Sequence, residues 1–102
     1  MMYQQGDVLL KKISKLPNGS KSVKRNTRGW VLAEGESTGH AHVIEEDIEL
    51  VEKDGILYMC NKEAVTITHE ERGHITIDAG CYEIGIVKEY DPFEKEIRNV
   101  RD

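Results

Sequence analysis

Apolar and polar residues alternate along this chain in short runs broken by glycine, and no window of 11 or more residues keeps a helical period. The pattern predicts an all-β protein. Residues 7–16 (DVLLKKISKL) read as a strand closed by the turn-forming Pro17-Asn18-Gly19, and residues 28–34 (RGWVLAE) as a second. Residues 40–51 read as one or two strands. The turn at residues 52–55 follows, ending in Asp54-Gly55, the strongest short hairpin signal, and residues 55–60 (GILYMC) run back from it. Residues 64–69 (AVTITH) and 74–78 (HITID) are β-branched runs separated by a loop. Residues 81–90 (CYEIGIVKEY) set Tyr82, Ile84 and Ile86 on one face.

About eight short antiparallel strands at spacings of roughly 8 to 12 residues point to a small β-barrel or sandwich. With 102 residues, no repeat and no linker, residues 1–102 form one domain, closing in a polar C-terminal tail at residues 91–102. Strand edges left open invite pairing, so a homo-oligomer, most simply a homodimer, is expected.

The net charge of −5 conceals an asymmetry. Residues 11–28 hold seven of the fourteen basic residues and no acid, which leaves seven basic against nineteen acidic residues elsewhere. Lys21, Lys24, Arg25 and Arg28, with Arg72 further on, are therefore candidates for holding an anion, and binding of that kind is strongly salt-dependent. Nucleic acid is a poor candidate partner, because base stacking needs exposed rings and only Tyr3 and Trp30 lie near the basic stretch. No run approaches the ~20 apolar residues needed to cross a bilayer as a helix, and residues 1–13 lack the signature of a signal peptide. A cytoplasmic location follows as the expectation, and with it reduced thiols at Cys60 and Cys81.

The candidate chemistry lies in the four histidines. On a strand, His40 and His42 share a face with Cβ atoms ~7 Å apart, a separation from which two imidazoles can reach one ion. His69 shares parity with the core-facing Val65 and Ile67, and His74 follows directly after the loop at residues 70–73. Nearby acids at Glu45, Glu46, Glu70 and Glu71 add carboxylates, and imidazole with carboxylate suits Zn, Fe, Mn, Ni or Cu. His40, His42, His69 and His74 are thus candidate ligands of a divalent transition metal.

The run GESTGHAHVIEE, in which Gly35 is followed by His40-x-His42 and then Glu46, resembles the first motif of the cupins, and GHITIDAGCYE, from Gly73 to Glu83, resembles the second. The resemblance covers about half of the chain. It implies a small β-barrel with a divalent metal near His40 and His42, with Glu46 as a further ligand, and Glu83 standing where the family's last metal histidine belongs.

Three kinds of function follow. The first is a divalent-metal-binding cupin-like domain, extending to a small metal-dependent isomerase, dioxygenase or hydrolase. The second is a metal-free binding module for an anionic, nucleotide-like small molecule. The third is a phage-type structural protein whose function is assembly. No Gly-x-Ser-x-Gly elbow occurs, and no phosphate-cradling glycine loop leads into a helix.

Overall fold

The computed structural model describes residues 2–35 and 38–86. The expected tail at residues 91–102 and the last four residues of the strand expected over 81–90 lie outside them. Ten antiparallel strands and no helix occur among the described residues: β1 (Met2–Gln5), β2 (Val8–Ile13), β3 (Lys21–Ser22), β4 (Trp30–Glu34), β5 (Ala41–Ile44), β6 (Glu49–Lys53), β7 (Ile56–Asn61), β8 (Val65–Thr68), β9 (Ile75–Ile77) and β10 (Gly80–Ile86). No helix here is long and apolar enough to cross a membrane.

The strands form two sheets, one of six in the order β1-β2-β10-β7-β6-β3 and one of four in the order β4-β5-β8-β9. No strand of one pairs with a strand of the other, so the chain is a sandwich and not a closed barrel. Val8, Leu10, Leu50, Met59, Tyr82 and Ile84 from the larger sheet meet Leu32, Ile44, Val65, Ile67 and Ile77 from the smaller in one core. Each set comes from alternate strand positions, the period that turns one face inward.

Three differences from the sequence expectation carry information. First, β1 pairs with β2 through a hairpin whose two turn residues are Gly6, at φ +58°, and Asp7. Glycine tolerates that left-handed backbone, and MYQQ is too polar to announce a strand. Second, β5 is covered on both faces. His42 and Ile44 look inward, while Ala41 and Val43 lie beneath the turn at residues 26–29. Gly29 comes so close that a Cβ there would stand 2.7 Å from the Ile44 carbonyl oxygen, and its φ of +129° also favours glycine. Third, Cys60 and Cys81 are a disulfide and not the expected free thiols. A separation of 21 residues reveals nothing about register, yet β7 and β10 set these two directly opposite one another.

Tyr82 is the largest fully buried side chain, and its hydroxyl donates to the Asp78 carbonyl at 2.7 Å. Burial pushes its phenol up to about 12, from an ordinary value of 10.0. The unfolded chain therefore ionises this tyrosine at a lower pH than the folded one, so its stabilising contribution is complete below about pH 10 and is lost as pH rises toward 12. Tyr82→Phe is expected to cost about 1 kcal/mol at neutral pH by loss of one hydrogen bond, and to flatten the fall in stability between about pH 10 and 12. Urea unfolding at several pH values checks both, and an unchanged alkaline limb would count against the assignment.

Candidate metal centre

Where the β1–β2 turn approaches the β8–β9 loop, the sandwich opens into a cleft of about 780 Å³. Imidazoles from His40, His42 and His69 line it, with the carboxylates of Asp7, Glu34 and Glu71, the Arg72 guanidinium and an apolar wall that includes Leu32 and Ile86. The shared parity of His40 and His42 takes both into this space, and His69 reaches it from the end of β8. The ring centroids of His42 and His69 are 4.4 Å apart, and those of His40 and His69 5.7 Å.

His42 is the best fixed of the three. It is buried, with Nδ1 2.8 Å from Gln5 Oε1 and Nε2 3.3 Å from Asp7 Oδ1. Gln5 is buried as well, and its amide nitrogen donates to the carbonyls of Ile67, at 3.0 Å, and Gly73, at 2.8 Å. One side chain of the larger sheet thereby binds a histidine, a strand and a loop of the smaller. Burial holds the His42 imidazole below the ordinary histidine range; the neighbouring His69 and Arg72 act in the same direction, and Asp7 opposes them. His42 thus favours the neutral form in which an imidazole can bind a metal.

On the outer face of β5, beside the cleft, Glu70 Oε1 accepts the Ala41 N–H at 2.9 Å, and Oε2 lies 2.6 Å from Arg28 Nη2. Hydrogen bonds from the Ala41 N–H and from its own backbone N–H, assisted by Arg28, hold its carboxyl below the usual range and keep it anionic. One ligand-type atom from each of His40, His69 and Glu70 lies within 4.8 Å of the other two. Ligands round one tetrahedral ion with bonds of ~2.1 Å stand ~3.4 Å apart, so small side-chain rotations would close the gap. His69 Nδ1 accepts the Glu71 N–H at 3.0 Å, and His40 Nδ1 is 3.7 Å from a Glu71 carboxylate oxygen.

The other residues singled out from the sequence stand elsewhere. His74 is exposed and does not line the cleft. Glu46 turns to β8 and accepts the Thr66 N–H at 3.2 Å. Glu83 has the opposite parity to Tyr82 and Ile84 on β10 and sits across from Lys11 and Tyr58, so it faces away from the core. Of the basic set, only Arg72 lines the cleft. Arg28 is paired with Glu34 and Glu70, Arg25 donates to the carbonyls of Asn26 and Glu45, Lys21 lies opposite Glu52 on β6, and Lys24 is exposed. Three acidic residues, Asp7, Glu34 and Glu71, share the cleft's walls with Arg72. Gln5 and Asp7 are the site residues that the sequence reading passes over. The signal for them was the Gly6-Asp7 dipeptide between Gln5 and Val8, a recognised two-residue hairpin turn.

A family model matches residues 4–86, a span that takes in every residue of the cleft from Gln4 to Ile86. The chain belongs to that family, described as Domain of unknown function (DUF8820). No curated protein and no solved structure matches it. What the DUF8820 domain does has accordingly to be argued from the cleft.

Replacing Gln5 with methionine keeps nearly the same volume but leaves His42 Nδ1, the Ile67 carbonyl and the Gly73 carbonyl without their partner. Unpaired buried polar groups cost about 1–3 kcal/mol each, so Gln5→Met is expected to destabilise the domain by at least about 2 kcal/mol in urea unfolding. A loss below about 0.5 kcal/mol would show that the network contributes little.

Proposed function

We propose that this domain binds a divalent transition metal at the lip of the cleft through His40, His69 and Glu70, with His42 and Asp7 beside the ion. The observation that carries this reading is that ligand-type atoms of His40, His69 and the anionic Glu70 lie within 4.8 Å of one another beside the cleft that His40, His42 and His69 line. Such mixed nitrogen and oxygen donors suit Zn, Fe, Mn or Ni. Since Nδ1 of His69 is occupied by the Glu71 N–H, use of either ring nitrogen by a metal requires that hydrogen bond to be released. Ion binding is then coupled to movement of residues 70–72. The remaining cleft gives a small ligand room next to the ion, and there a metal would polarise a ligand oxygen or lower the pKa of a bound water.

Elemental analysis of protein purified without a histidine tag is expected to find close to one transition-metal ion per chain. The double substitution His40→Ala, His69→Ala should lower zinc affinity in calorimetry by more than the ~10–100-fold typical of losing an outer-shell partner. Protein that carries no metal as isolated and takes up no zinc at micromolar concentration would end this reading.

A further inference from the structure

Gln5 does more than join the two sheets. A carboxamide offers two N–H donors on one side and a carbonyl acceptor on the other. Its Nε2 faces two backbone carbonyls, those of Ile67 and Gly73, which can only accept. Turning the amide over would set its oxygen against both of them, so the orientation is fixed by the backbone of β8 and of the β8–β9 loop. Oε1 is then the atom 2.8 Å from His42 Nδ1, and as an acceptor it requires the hydrogen to sit on Nδ1. A neutral imidazole has one such hydrogen, which leaves Nε2 with a bare lone pair.

That lone pair lies 3.3 Å from Asp7 Oδ1, on the turn that follows directly after Gln5. With the ring neutral, two acceptors so close together are held only by something positive or hydrogen-donating placed between them. We infer that Gln5 is a positioning residue that holds His42 as its Nδ1–H tautomer, so that His42 Nε2 and the Asp7 carboxylate together form a two-point seat for a cation or a ligand N–H or O–H group. Both seat atoms belong to described residues, and Gly6 keeps the approach open: a Cβ at that position would lie 3.4 Å from His42 Cε1 and 3.0 Å from Arg72 Nε. The tautomer stands independently of the metal reading, and only the identity of a cation in the seat rests on it.

The test is a long-range proton–nitrogen NMR correlation of the imidazole rings in ¹⁵N-labelled, metal-free protein at about pH 8.5, where histidines with values near 6.5 are neutral. His42 is expected to show a protonated Nδ1 and a bare Nε2. His69, whose Nδ1 accepts the Glu71 N–H, should show the reverse and so serves as an internal control. In Gln5→Met the His42 signals should move to a mixture of tautomers while those of His69 stay unchanged. Zinc added to the wild-type protein should shift the Nε2 resonance of His42 far more than its Nδ1 resonance.

A wild-type His42 protonated on Nε2 overturns the inference whether or not the variant folds, as does a Gln5→Met protein with an unaltered His42 tautomer. Zinc that binds while His42 shows the wrong tautomer, or while its Nε2 resonance stays still, sinks the seat and leaves the metal reading intact. Failure of zinc to bind at all sinks the metal reading, whereas the metal-free spectrum still decides the tautomer.

Discussion

The buried hydrogen bond between Gln5 and His42 is the constraint on which this end of the molecule depends. Among the described residues no strand of one sheet pairs with a strand of the other, and apolar contact across the core holds the two together. At the cleft the apolar core stops, and a polar group placed there has to be satisfied or it destabilises the fold. Gln5 satisfies three partners at once, all on the smaller sheet or its loop. An aliphatic residue would have left all three unpaired. It would not have dictated how an imidazole is turned.

The surface charges reinforce the same division of labour. Arg28, the last member of the basic stretch, is drawn onto Glu70 and Glu34. The turn that carries it roofs the outer face of β5, with Gly29 packed against the strand backbone. Basic residues that read in the sequence as candidates for holding an anion therefore act in part as cover for the strand that bears His42. Glu70 in turn ties the β8–β9 loop to the first residue of that strand through the Ala41 N–H.

Fold class and much of the site were legible because both follow from period-2 parity. Asp54-Gly55 makes the tight turn expected of it, with both residues at positive φ. His40 and His42 share a face, and His69 points toward the cleft. Parity likewise turns Glu83 away from Tyr82 and Ile84, against the place that the cupin resemblance implies for it. What could not be read was set by pairing between distant segments. β1 has almost no apolar signal of its own and exists because β2 offers it an edge, so the sequence pattern does not mark Gln5 and Asp7. The Cys60–Cys81 bond required knowledge that β7 and β10 are neighbours in register. A search for helical or metal-ligand spacing detects neither.

The disulfide has a topological consequence for the cleft. Its two ends lie on the larger sheet, and between them the chain makes a single excursion through β8, the loop carrying His69, Glu70, Glu71 and Arg72, and β9 before returning. That excursion is a covalently closed ring of about twenty residues, for which a cross-link removes on the order of 3 kcal/mol of unfolded-chain entropy in the simplest model. The loop's roots stay anchored to a different layer from the one its strands join. Were the backbone cut at Arg72, both severed ends would remain fastened to the same body.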